Sequence, residues 1–221
     1  LHNLLKNNAA LICPLCYSND VVDYHRDAAR DYQYCNKCQL VFVPARFHLA
    51  EADEKMVYDQ HQNSPEDNGY RLFLSRLLTP LLERLTPNSE GLDFGSGPGP
   101  TLSLMLSENG HKMAIYDLFY AADPNALKQT YDFITATEVL EHLSAPGLEL
   151  DQLWRLLRPG GWLGIMTKLV IDEAAFAGWH YKNDPTHISF FSPKTFQYIA
   201  QHWSAEVAFI GDDVILLQKP L

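Results

Sequence analysis

The chain is poor in positive charge. It has 17 Lys and Arg against 27 Asp and Glu, a formal net charge of −10, and no cluster of basic residues. Such a chain is a poor partner for phosphate backbones, which argues against a nucleic-acid ligand. It also lacks any apolar run near the 18 residues that would suggest a membrane span, so no membrane association is expected. The first eleven residues are short and polar, unlike an export signal, and a cytoplasmic location is the expectation. Cysteine is scarce, with four in 221 residues. What is plentiful is apolar content, at 47%, enough for one large domain or a medium and a small one.

The four cysteines fall into two pairs, Cys13-Pro14-Leu15-Cys16 and Cys35-Asn36-Lys37-Cys38. Two C-x₂-C turns at this separation match a structural Cys₄ zinc site, each turn offering two thiolates to one tetrahedral ion. Disulfides are the alternative, disfavoured in a reducing compartment. Between the pairs lie β-prone Val21, Val22, Tyr24, Tyr32 and Tyr34, and Leu40 to Val43 follow, so residues 1–48 read as a zinc ribbon held together by its metal. With all four thiols committed, no cysteine nucleophile remains. The ribbon's charges are mixed, and it reads as a stabilising or substrate-covering module.

Residues 49–88 read as a linker and helical cap. Residues 44–69 are polar and irregular, with Tyr58, His61, Asn63 and Tyr70 close together. A solvated linker and a segment covering a ligand are both compatible with that composition. From Gly69, Tyr70, Phe73, Leu74, Leu77, Leu78, Leu81, Leu82 and Leu85 recur at three- and four-residue steps, predicting a helix that Pro80 should kink or split.

The remainder, residues 89–221, alternates strand and helix signals around Leu92-Asp93-Phe94-Gly95-Ser96-Gly97-Pro98-Gly99-Pro100. This reads as a buried strand, a glycine turn and a helix start, a place where a small molecule can lie on main chain. Asp117 closes the apolar run Met113 to Tyr116, and a carboxylate at a second strand end can accept hydrogen bonds from a ribose diol. Strands are predicted at 91–94, 112–117, 132–137 and 161–167, with helices at 100–109, 123–129 and 147–157. Ser192-Pro193 predicts a capped helix, and Val207–Ile210 with Val214–Gln218 a closing hairpin.

Two stretches are placed to meet a ligand beyond the strand ends. In Thr137-Glu138-Val139-Leu140-Glu141-His142, the spacing lets Glu138, Glu141 and His142 share a face of a helical turn. That face can bind a divalent ion, or the residues can simply order the turn. After the next strand, Trp179 to His187 is an aromatic, polar loop of the kind that carries substrate contacts.

The glycine loop, Asp117, Tyr131-Asp132-Phe133-Ile134-Thr135, the Glu-Val-Leu-Glu-His run and Leu157-Arg158-Pro159-Gly160-Gly161-Trp162-Leu163 stand in order, and together they resemble the class I S-adenosylmethionine-dependent methyltransferases. The resemblance covers about residues 89–221. It implies a Rossmann-like α/β sheet with an antiparallel C-terminal hairpin, preceded here by the ribbon. Only 14 residues separate Asp117 from Asp132, so the third strand of the family's sheet should be short or absent. The resemblance implies cofactor contacts at Asp93, Gly95, Ser96, Gly97, Gly99, Asp117, Leu118 and Thr137. The E-x-x-E-H run is similar to that of ubiquinone-pathway O-methyltransferases and of RNA 3′-terminal 2′-O-methyltransferases, where a downstream histidine completes a magnesium-like site. His187 is the matching residue. The implied reaction is methylation, by O-methylation, of a small-molecule nucleophile, with Glu138, Glu141, His142 and His187 as catalytic candidates. Tyr58, His61 and Tyr181 are the substrate-binding candidates. An RNA methyltransferase and a catalytically silent binding module are the rival readings.

Overall fold

The computed structural model describes residues 11–60 and 63–221. Its centre is a six-stranded sheet in which β4 (Glu90–Phe94), β5 (Lys112–Tyr116), β6 (Tyr131–Thr137), β7 (Leu157–Met166), β9 (Glu206–Ile210) and β10 (Val214–Gln218) run in the order β5-β4-β6-β7-β10-β9. The first four are parallel; β10 pairs antiparallel with both β7 and β9. The period-2 pattern of the strands divides the core between two faces. Ile134, Ala136, Leu163, Ile165, Ile215 and Leu217 face α4 (Pro146–Leu156) and α6 (Pro193–Trp203). Phe133, Met166, Val214 and Leu216 face α2 (Asn68–Leu82) and α3 (Thr101–Glu108). Arg158 fastens the far end, donating to Asp132 at 2.8 Å and to Glu90 at 2.7 Å.

The linkage from β5 to β6 contains neither a third strand nor the expected helix at 123–129. It forms a single 3-10 turn, Ala126–Lys128, after an Asp123 turn that bonds the Asn125 N–H. Three further expectations are corrected. Pro80 does not break α2, because it stands two residues from the helix end, where Arg84 donates to its carbonyl at 2.6 Å and Leu74, Leu77, Leu78 and Leu81 are already anchored in the core. Pro100 occupies the N-cap of α3 rather than its first turn. Residues 51–58, read as irregular, form α1 (Glu51–Tyr58). This helix buries no residue, so it shows no apolar stripe in sequence; Glu51, Asp53 and Glu54 in its first turn complement the helix dipole.

The N-terminal residues form a second sheet, from β1 (Val21–Arg26), β2 (Asp31–Cys35) and β3 (Val41–Phe42). Its fourth strand, β8 (Ser189–Phe190), comes from the C-terminal half and pairs with β3. Tyr32, Val41, Val43, Val170, Phe176, Tyr181, Ile188 and Phe190 make a common core with α5 (Glu173–Ala177). The two halves therefore share both a sheet and a hydrophobic cluster.

Candidate active site

The carboxyl ends of β4, β5 and β6 open into a cavity of about 650 Å³, at the place where open α/β sheets bind ligands. Asp93 ends β4 almost fully buried, and its Oδ1 accepts from the Thr135 hydroxyl at 2.7 Å. Burial pushes its carboxyl up to about 6, with the charge of Asp117 adding to the effect. Gly97 takes φ +65°, and a Cβ there would meet nothing within 4 Å, so the loop's backbone borders open space. Gly99 has the opposite reason to be glycine: a Cβ would lie 2.1 Å from the Asn63 carbonyl, where the preceding chain crosses the loop. Asp117 accepts from the N–H groups of Gly97 (2.9 Å), Phe119 (2.9 Å) and Tyr120 (3.1 Å). The Ser96 hydroxyl is buried without a partner. Such an orphaned group beside open, backbone-lined space fits a polar ligand. Leu118 and Thr137 also line the cavity.

On the other side stand Glu54, Tyr58, Glu138, His142, Asp184 and His187. The Tyr58 hydroxyl donates to Glu54 at 2.6 Å, and its ring meets His142 edge-on. The His187 Nδ1–H donates to the Tyr181 carbonyl at 2.7 Å, and the His142 Nδ1–H to that of Thr186 at 3.2 Å. These bonds select the tautomers that carry lone pairs on Nε2. Burial and the neighbouring His142 push the His187 imidazole down to about 4, against the pull of Asp184. His187 is therefore neutral at physiological pH.

The Glu138, Glu141 and His142 side chains do not share one helical face. Glu138 adopts φ +51°, and a 3-10 turn covers only Leu140–His142, yet the two carboxylates meet at the Tyr181 hydroxyl, which lies 3.3 Å from Glu138 Oε2 and 2.5 Å from Glu141 Oε1. Glu141 is fully buried, accepting from the hydroxyls of Thr167 (2.9 Å) and Tyr181. Burial holds both glutamates above the usual carboxylate range. The group whose ligand atoms lie within 4.8 Å of one another is Glu141, His142 and His187, without Glu138. Tyr181 does not line the cavity; it packs behind it against the His187 ring, with centroids 4.2 Å apart. His61 lies outside the described residues. Asp184, from the 179–187 loop read as carrying substrate contacts, lies in the cavity wall, and so does Glu54, which the sequence did not single out because α1 carried no apolar periodicity to place it.

The cysteines form a separate centre. Each C-x₂-C turn closes with an N–H to carbonyl bond, Tyr17 to Cys13 and Gln39 to Cys35, and puts that closing residue at positive φ. Cys13 and Cys38 Sγ are 3.4 Å apart, as are Cys16 and Cys35, and all four sulfurs lie within 4.8 Å. Tetrahedral zinc at about 2.3 Å from each sulfur requires edges of about 3.8 Å, so the set fits that ion. The hydrogen bond between Cys13 and Cys38 draws the Cys13 thiol down and, with burial, pushes the Cys38 thiol up.

Comparison with known proteins agrees with this geometry. A family profile described as "Methyltransferase domain" matches residues 67–205. The ubiquinone biosynthesis O-methyltransferase of Vibrio cholerae is 34% identical over 71 residues, 32% of this chain; the match spans only 29% of the relative's length. Among solved structures, human N-acetylserotonin methyltransferase in complex with SAM superposes with a TM-score of 0.51 at 13% identity, covering 78% of this chain and 57% of that one. The magnesium protoporphyrin IX methyltransferase of Synechocystis with bound SAH gives 0.51 at 12% identity, covering 78% and 96%. At these identities they attest the fold. The family profile, spanning more than half the sequence, assigns the chain itself: it belongs to the methyltransferase domain family.

Proposed function

We propose that the enzyme methylates a hydroxyl oxygen of a small, neutral or cationic molecule, with His187 receiving the proton. The observation that carries this is the make-up of the cavity wall. It holds Glu54, Asp93, Asp117, Glu138, Glu149 and Asp184 and two histidines, but neither Lys nor Arg among the described residues. An RNA strand or another polyanion would find no counter-charge there, whereas a cationic sulfonium cofactor suits it. The name of the Vibrio relative, an O-methyltransferase, points the same way.

In this reading S-adenosylmethionine lies along Gly95, Ser96, Gly97 and Gly99. Asp117 takes its ribose hydroxyls and Asp93 faces its charged end. The acceptor occupies the Tyr58, His142 and His187 end. Its oxygen attacks the methyl carbon in line, the carbon–sulfur bond breaks, and the electron pair returns to sulfur. The acceptor proton passes to His187 Nε2. A neutral imidazole can take it, and Asp184, with Oδ2 3.9 Å away, stabilises the imidazolium as it forms. Were Glu141, His142 and His187 to hold a divalent ion instead, His187 Nε2 would be a ligand and not the base, and the ion would lower the acceptor's pKa; one carboxylate and two imidazoles suit manganese, iron or zinc better than magnesium. Residues 1–48 act as a zinc-bound module that completes the acceptor side, 49–88 as its cover, and 89–221 as the catalytic domain.

The test is transfer of a radiolabelled methyl group to a panel of catechols, phenols and amines, with a short RNA as control. Labelled ether products should appear, and His187→Gln should lower turnover by about 10²-fold or more while S-adenosylmethionine affinity stays unchanged. Transfer only to RNA or to amine nitrogen would overturn the reading.

A further inference from the structure

The turn between β1 and β2 reaches across the molecule to the loop that carries His187. Arg30 lies in that contact at 6% exposure. Its Nη1 donates to the Pro185 carbonyl at 3.1 Å, and its Nη2 to the carbonyls of Asp184 at 2.7 Å and of Lys182. Its Nε donates to the Tyr32 hydroxyl at 3.0 Å. That hydroxyl in turn donates to Asp27 Oδ2 at 2.9 Å, which also accepts from Lys182 Nζ at 2.8 Å. One guanidinium thus collects three carbonyls from four consecutive loop residues, more than 150 positions away in sequence.

The same loop orients both cavity histidines. The Asp184 carbonyl that accepts from Arg30 also accepts from the His187 N–H at 3.2 Å. The Thr186 carbonyl fixes His142 and the Tyr181 carbonyl fixes His187. Beyond residue 187 the chain is tied down independently, by Ile188 N–H to the Glu141 carbonyl at 2.7 Å and by β8. Between Tyr181 and Ile188, the side chain that gathers the loop from outside is Arg30. We propose that Arg30 is a positioning residue of the methyl-acceptor site: through the carbonyls of residues 182, 184 and 185 it sets the loop that aims His187 and His142 into the cavity. This rests on the reading of the His187 end as the acceptor side. It makes the N-terminal ribbon part of the catalytic apparatus rather than an appendage. A lysine cannot substitute, since a point charge lacks the planar fork that spans three carbonyls.

The experiment uses residues 1–221, supplied with zinc, with Arg30→Lys and Arg30→Gly. Amide hydrogen exchange at His187 should accelerate by about tenfold or more in both variants, with exchange at independently tied Ile188, exchange at Gly95 and S-adenosylmethionine affinity by calorimetry within about twofold of wild type. The nitrogen-15 resonance of His187 Nδ1, which reports its bond to the Tyr181 carbonyl, should shift. Added guanidinium ion should restore both signals in Arg30→Gly. Unchanged exchange at His187 would overturn the proposal. So would equal acceleration at His187 and Gly95, which would mean that Arg30 stabilises the whole fold and not the loop. None of these readouts needs an acceptor. Failure of the hydroxyl-acceptor reading would appear instead as absence of wild-type methyl transfer to catechols, and the exchange data would still decide the role of Arg30.

Discussion

Asp93 shows what a single buried carboxyl does to this fold. Burial raises its folded-state pKa from 3.8 to about 6, so the folded chain holds a proton that the unfolded chain has released. The stability this contributes is complete below about pH 4 and is lost as the pH rises through about 6. Asp93→Asn, which imitates the protonated form, should therefore melt higher than wild type above pH 6, with the difference vanishing near pH 4. Melting temperatures across that range, without cofactor, are the check; a constant difference would mean that Asp93 is ionised throughout. Asp93, Asp117 and the glycines were legible because strand, turn and strand-end acid follow one another within 25 residues. Arg30 was not: its partners lie beyond residue 181, and no local pattern marks an arginine destined for three distant carbonyls. That Glu138 stands outside the Glu141, His142 and His187 group was equally hidden, since one positive φ at Glu138 broke the helical spacing.

At the scale of elements, helices with an apolar stripe or a recognisable cap were readable, and α6 is the clearest. Ser192 accepts from the Thr195 N–H at 3.1 Å, and the Thr195 hydroxyl accepts from the Ser192 N–H at 3.2 Å, a reciprocal cap ahead of Pro193. Ser192→Ala should cost about 1 kcal/mol in a urea titration, with the slope unchanged. A cost near zero would show that Pro193 and the buried face of Phe196 and Ile199 hold the helix start without the cap. By contrast α1 was missed, because a helix that buries nothing leaves no periodic trace. The second sheet was only half foreseen: β1, β2 and β3 follow from their β-prone residues, but two-residue β8 is too short to show in sequence and exists because β3 offers it an edge.

At the scale of the whole molecule, the cysteine cluster sits at a joint between the N-terminal sheet and the helices of the larger one. The first cysteine turn docks on the start of α4, where the Gly147 N–H donates to the Pro14 carbonyl at 3.1 Å and a Cβ on Gly147 would lie 2.4 Å from the Leu15 carbonyl. The second docks on the start of α6, where the Thr195 hydroxyl donates to the Gln39 carbonyl at 2.9 Å. Metal analysis should find one zinc per wild-type chain, and Cys13→Ser or Cys38→Ser should abolish it. Either substitution should also lower the melting temperature of the entire chain in a single calorimetric transition. Two separate transitions would instead show a ribbon that melts alone.

The pairing of β3 with β8 also has a consequence in time. Val41 and its partner Phe190 are separated by 149 positions, so a ribosome adding roughly 5–20 residues per second finishes the first some 7–30 s before the second. Both cysteine turns emerge well before that, ready to capture metal while the edge of β3 is still bare. During synthesis the edge of β3 therefore stays without its partner until β8, 149 positions further on, has been made.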